Sequence, residues 1–95
     1  MKQPAVYIMA SCERGTLYVG VTSNLPVRIT QHKQNLVEGF TKKYSVHTLV
    51  WLELHETMES AILREKAIKA WKRAWKLELI ETGNASWRDL YPDIL

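Results

Sequence analysis

The chain has 95 residues, a net charge of +3, 46% hydrophobic and 24% charged residues, and a single cysteine. That length fits one domain over 1–95 with no second independent core, and the lone Cys12 rules out an internal disulfide framework and favours a reducing compartment. No stretch approaches the roughly 20 apolar residues of a membrane span, and the apolar run in "MKQPAVYIMA" is too short for a signal peptide, so the expected location is cytoplasmic, with no membrane partner.

In chain order, residues 5 to 10 and 16 to 22 are apolar and β-prone. The segment "SCERG" between them reads as a five-residue hairpin loop, with Gly15 as the residue able to take a positive φ. In "TSNLPVRITQHKQNL", Ser23 or Asn24 can cap a helix and Pro26 suits its first turn, which predicts a helix from about Leu25 to Asn35. "EGFTKKYS" reads as a loop, and "VHTLVWLELHE" as a strand long enough to be central in a sheet. Thr57 is a plausible cap for a long helical stretch ending near Thr82, ahead of Gly83 at the C′ position. Its apolar stripe drifts after Trp71, which predicts a bend or break near residues 70 to 72. The order β-β-α-β-α-α gives an α+β fold: a small three-stranded, mainly antiparallel sheet flanked by helices.

The charge is unevenly spread. "REKAIKAWKRAWK", Arg64 to Lys76, holds six basic residues against Glu65 alone, a surface suited either to solvent or to a phosphate backbone. Lys42, Lys43, Lys69, Lys72 and Arg73 are the candidates for phosphate contact.

Polar residues also fall within apolar stripes. Leu25, Ile29 and Leu36 share a helix face with Arg28 and His32. Met58, Ala61, Ile62 and Ile68 share one with Glu65, where leucine would be expected. A charge so placed must be paired, bound to metal or at the mouth of a cleft. On the strands, Tyr7 shares a face with Ala5 and Met9, and Tyr18 with Thr16 and Gly20, and a strand glycine marks a close approach of backbone or ligand. Each residue has a structural alternative: Arg28 snorkelling, His32 a satisfied core histidine, Glu65 in an ion pair with Arg28, the tyrosines packed with bonded hydroxyls. Together they are more polar chemistry than a small core normally tolerates.

The hairpin "VYI…YVG", an arginine ten residues after the second tyrosine and a glutamate on a later helix resemble the GIY-YIG nuclease domain, and above all its small single-domain bacterial members. "GFTKKYSVHTLVWLE", "REKAIKAWKR" and "GNASWRDLYP" extend the likeness over nearly the whole chain. The resemblance implies that Tyr7 and Tyr18 are the motif tyrosines and Arg28 the catalytic arginine. It places His32 where several members have a catalytic histidine or tyrosine, Glu65 as the ligand of a single Mg²⁺ or Mn²⁺, and Asn84 near the site. Ala5 stands where the first motif has glycine, and Ala85 where relatives often have proline. The implied activity is metal-dependent endonucleolytic hydrolysis of nucleic acid, DNA in the first instance and in a repair or recombination setting, one strand per active site. Cutting both strands would call for a homodimer or sequential events, and targeting for a separate partner. The competing readings are a noncatalytic nucleic-acid-binding module of the same fold, and a protein-interaction domain built on Trp71, Trp75 and Trp87.

Overall fold

The strand Ala5–Ala10 (β1) is buried along its whole length because it has a strand on each edge and helices over each face. The computed structural model describes residues 3–36, 39 and 43–95. Within them, β1 is followed by β2 (Leu17–Thr22), α1 (Leu25–Lys33), β3 (Thr48–Leu54), α2 (Met58–Ala70), α3 (Arg73–Gly83) and the short α4 (Tyr91–Ile94). The sheet order is β2-β1-β3, antiparallel throughout. The central place expected of the third strand is therefore taken by β1, whose six residues alternate between two cores. Val6, Ile8 and Ala10 pack with Val19, Ala61, Ile68, Ile80 and Trp87 beneath α2 and α3. Ala5, Tyr7 and Met9 pack with Leu25, Ile29, Val46 and Leu49 beneath α1.

Local chemistry explains the boundaries. Asn24 caps α1 by accepting the Val27 N–H at 3.4 Å, and Pro26 lies in the first turn. The helix stops at Lys33, earlier than the sequence suggests, because Asn35 adopts a left-handed φ of 57°. Leu36 then falls outside the helix, 66% exposed, and does not extend its inward face. Thr57 caps α2 by accepting the Ser60 N–H at 3.1 Å. Trp71 and Lys72 are extended, with ψ of 149° and 154°, and supply the expected break between α2 and α3. Gly83 is the last residue of α3 and not its C′ residue as expected, because the helix runs on to Gly83 and Asn84 is the cap. In the hairpin loop the positive φ belongs to Arg14 (56°), not Gly15. Gly15 is needed for space, since a Cβ there would lie 2.7 Å from Cys12 Sγ.

Beyond α3, residues 84–95 wrap round the outer edge of β3 like a strap. Register passes from Ile8↔Trp51 to Met9↔Leu49, so Val50 is the extra residue of a β-bulge and shares a core with Trp51. Asn84 Nδ2 donates to the Val50 carbonyl at 3.1 Å, Asp89 Oδ1 accepts the Leu49 N–H at 3.2 Å, and the Leu90 N–H donates to the Leu49 carbonyl at 2.8 Å. Trp87 fills the first core, while Leu90, Tyr91 and Ile94 pack on the second. The hairpin loop is fastened too: Arg73 donates to the carbonyls of Arg14 and Gly15, and Arg14 pairs with Glu81 at 2.8 Å.

Candidate active site

In the sheet register Tyr7 lies opposite Gly20. The missing Cβ gives the phenol its place: built on Gly20, that carbon would fall 2.5 Å from Tyr7 Oη and 2.9 Å from Tyr18 Cε1. The two rings therefore settle side by side, centroids 6.2 Å apart and tilted by 38°. Leu25 and Ile29 anchor α1 over this face, which brings Arg28 and His32, one turn apart, onto the phenols. Tyr7 Oη and His32 Nε2 are 2.8 Å apart, both residues fully out of solvent. The imidazole lies 5.6 Å from the Tyr7 ring and 5.2 Å from Tyr18. The Arg28 guanidinium lies beside both phenols, Tyr7 having the larger influence on it.

The electrostatics assign the protons. Burial, then Arg28 and His47, lower the His32 pKa to about 4, so the ring is neutral at pH 7. Burial pushes Tyr7 up to about 12, and the opposing hydrogen bond from Arg28 does not outweigh it. Arg28 is held more firmly charged, chiefly by the Tyr7 phenol beside it. At neutral pH a neutral phenol and a neutral imidazole therefore share one hydrogen bond, in which the phenol donates when the imidazole proton sits on Nδ1, and the guanidinium keeps its positive charge beside them. Such a phenol can pass its proton to the imidazole while accepting one from a third molecule, which a free phenol near pKa 10 does poorly as a base.

Glu65 does not join these four. Its carboxylate pairs with Lys69 at 3.0 Å, with only 13% of its side chain exposed, so the ion pair with Arg28 considered from sequence is not the one formed. The reason is the layer it belongs to: α2 is seated by Ala61 and Ile68 on the face opposite Tyr7. Ile62, assigned to that stripe from sequence, is 37% exposed, so the stripe is narrow and Glu65 lies off its centre. Lys69 reaches the rim of β2, where a cavity of about 280 Å³ is lined by Leu17, Tyr18, Val19, Lys69 and Lys76. Among the described residues no group of three or more His, Cys, Asp or Glu could hold a metal. A single, largely buried carboxylate whose present partner is a lysine still suits Mg²⁺, which keeps most of its waters and is completed by substrate phosphate.

The remaining predicted site residues are dispersed. Asn84 spends its amide on the main chain, donating to Val50 and Arg88 carbonyls and accepting the Arg88 N–H at 3.0 Å, so its contact with the cluster is indirect, through the sheet. Lys43 is exposed, its ammonium 5.4 Å from the Tyr44 ring centre, and Lys72 is exposed, 5.1 Å from that of Trp75. Arg73 is committed to the hairpin loop. Lys42 lies outside the described residues. Lys76 escaped sequence reasoning, because the break at Trp71 removes the helical spacing that would align it with Lys69.

Comparison with known proteins bears on this arrangement. A family model described as the GIY-YIG catalytic domain matches residues 3–78. A UPF0213 protein of Staphylococcus saprophyticus is 34% identical over 83 residues, covering 87% of this chain and all of the relative. One from Staphylococcus aureus is 36% identical over 76 residues, covering 80% of this chain and 92% of the relative. The solution NMR structure of a UPF0213 protein from Bacillus halodurans superposes with a TM-score of 0.57 at 25% identity, covering 94% of this chain and 93% of that one.

Proposed function

Because the chain belongs to the GIY-YIG catalytic domain family, a nuclease superfamily, we propose that it is a metal-dependent endonuclease that hydrolyses DNA in the cytoplasm, one strand per active site. The observation that carries the reading is the 2.8 Å hydrogen bond between the buried Tyr7 phenol and the neutral His32 imidazole, with the charged Arg28 beside the phenols.

In this mechanism Tyr7 takes a proton from the attacking water as its own proton passes to His32 Nε2, so no free phenolate need exist beforehand. The water oxygen bonds to phosphorus and the bond to the 3′ oxygen breaks. Arg28 forks onto the nonbridging oxygens as their charge grows, and Tyr18 orients the water or the phosphate. Glu65 is the residue that would hold a single Mg²⁺ or Mn²⁺, whose bound charge supplies neutralisation of the phosphate and the departing oxygen. Lys69, its present partner, would then be released toward the cavity beside Tyr18. Lys43 and Lys72 add sequence-independent attraction to the backbone.

The test is to incubate the protein, Glu65→Ala and Arg28→Ala with labelled single-stranded, duplex and branched DNA and with RNA, in Mg²⁺, Mn²⁺ or EDTA. Cleavage by the wild type that needs metal and vanishes in both variants, each folded by circular dichroism, is the expected result. Wild-type rates in either variant would refute the assignment, and salt-sensitive binding without cleavage by any of the three would identify a binding module.

A further inference from the structure

On the face of the sheet opposite Tyr7, a groove of about 510 Å³ is walled by Trp51, Trp71, Trp75 and Leu79, with Glu78 and Thr82 on its border. Trp71 and Trp75 stand edge to face with centroids 6.2 Å apart, and Trp75 is 50% exposed. Packing alone does not account for a large aromatic left half in water at the mouth of an apolar groove. Each of these two rings carries a cation: the Lys72 ammonium is 5.1 Å from the Trp75 centroid, and the Arg64 guanidinium, which also donates to Glu53 at 3.1 Å, is 5.3 Å from that of Trp71.

The charge pattern chooses among occupants. An apolar peptide would gain from the rings but would have to strip water from Lys72 with no anion in return, and a second copy of this chain would bring one acidic residue on the matching border, its own Glu78, against two cations. A nucleic-acid strand brings both complements at once, a π face for each indole and a phosphate for each of the two cations, Arg64 and Lys72, that lie on the rings. Glu78 is the one acidic group on the border. Bases within a duplex already stack on one another, so only unpaired bases can offer their faces here.

We propose that this tryptophan groove is a stacking site for unpaired nucleobases, so that the substrate is DNA with a single-stranded arm. The proposal rests on the nuclease reading for its cutting centre, but the groove is a separate place. Helix α2 joins the two: Lys69 and its partner Glu65 lie on its flank toward Tyr18, Arg64 on its flank toward β3, and Trp71 caps its C-terminal end at the groove. An arm held on one flank leaves the neighbouring backbone at the other.

The experiment measures binding in EDTA, so that no cutting is required. Wild type, Trp75→Ala and Trp75→Phe are titrated with an oligothymidine strand, an abasic strand of equal length and a blunt duplex, following tryptophan fluorescence and the anisotropy of a label. Thymidine should quench wild-type fluorescence and bind more tightly than the abasic strand. Trp75→Ala should weaken thymidine binding about tenfold, within the range for loss of one stacked base, with duplex affinity unchanged and most of the loss restored in Trp75→Phe. Equal affinity of wild type and Trp75→Ala for thymidine, or equal affinity of wild type for thymidine and abasic strands, would overturn the proposal. So would a wild-type dimer in light scattering that Trp75→Ala dissolves, since a second copy would then own the groove. Trp75-dependent binding without cleavage of any substrate would leave the stacking site standing and refute the nuclease; cleavage of armed DNA unaffected by Trp75→Ala would do the reverse.

Discussion

Replacing Gly20 by alanine adds one methyl group at the point where the two phenols meet. That methyl carbon would lie 2.5 Å from Tyr7 Oη and 2.9 Å from Tyr18 Cε1, well inside contact distance. Tyr7 cannot swing aside cheaply, because its ring is fully buried and its hydroxyl is held 2.8 Å from His32. Overpacking of this kind costs about 1–3 kcal/mol. Breaking the Tyr7–His32 bond and leaving its buried groups unpaired adds about 1–3 kcal/mol. The stiffer alanine backbone returns about 0.5–1 kcal/mol through the unfolded state. The net loss is about 1–5 kcal/mol, with a middle value of about 3 kcal/mol that corresponds to a fall in Tm on the order of 10–25 °C for a domain of this size. Cleavage by the fraction still folded should drop at least about 100-fold, because the proton relay is misaligned. Circular dichroism melts and single-turnover cleavage below the Tm measure the two effects separately. Gly83→Ala is the matched control: its Cβ meets nothing within 4 Å, so it should raise stability by about 0.5–1 kcal/mol. A Gly20→Ala protein that melts and cleaves like wild type would mean that Tyr7 is not confined as described.

His32 gives a pH signature. Its pKa is lowered in the folded state to about 4, so stability is full above about pH 6.5 and is lost as pH falls toward 4, where the unfolded chain alone gains the proton; the loss reaches about 3 kcal/mol. His32→Gln should flatten that part of a Tm-against-pH curve, and an unchanged slope would contradict the burial argument. Asn84→Ala removes three hydrogen bonds that hold the strap and should cost about 2 kcal/mol in denaturant melts, with turnover of the folded fraction reduced only a few-fold. A large fall in turnover without loss of stability would instead put Asn84 in contact with substrate. Arg73→Ala should cost about 1–2 kcal/mol by freeing the hairpin loop, while leaving the salt dependence of DNA binding unchanged. Lys72→Ala should do the opposite, lowering the slope of log K against log salt by about 1, and equal slopes for the two variants would show that the distinction between them is wrong.

What the sequence made legible was local. Asn24, Pro26 and Thr57 mark helix starts through short-range hydrogen bonds, and the drift after Trp71 locates the break, because capping and periodicity involve residues a few positions apart. Period two placed Tyr7 and Tyr18 on faces, and helical spacing put Arg28 beside His32, so the α1–hairpin half of the candidate site was visible in outline. Helical spacing also pointed Glu65 inward, but it carries no information about which face of the sheet a helix covers. That depends on the path of the chain around β3, and it separated Glu65 from the other four. The Val50 bulge, the strap and α4 were not visible either, since each depends on contacts between residues more than thirty positions apart, such as Asn84 with Val50 and Asp89 with Leu49. Gly15 was noticed for the wrong reason: the residue with the unusual φ is its neighbour Arg14.

The strap has a consequence for synthesis. Everything it fastens is translated before it, so a nascent chain that has emerged as far as Gly83 contains, among the described residues, β1 to β3 and α1 to α3 but still presents the Leu49 main-chain groups and the Val50 carbonyl of β3 without the partners the strap supplies. Such a row of open donors and acceptors is a template for the next polypeptide that drifts past, including a sibling on the same polysome. Completion of the domain is thus timed by its twelve residues from Asn84 to Leu95. Ribosome stalling or premature termination within that stretch would release a chain that carries all four residues of the phenol cluster and Glu65 but has an adhesive edge.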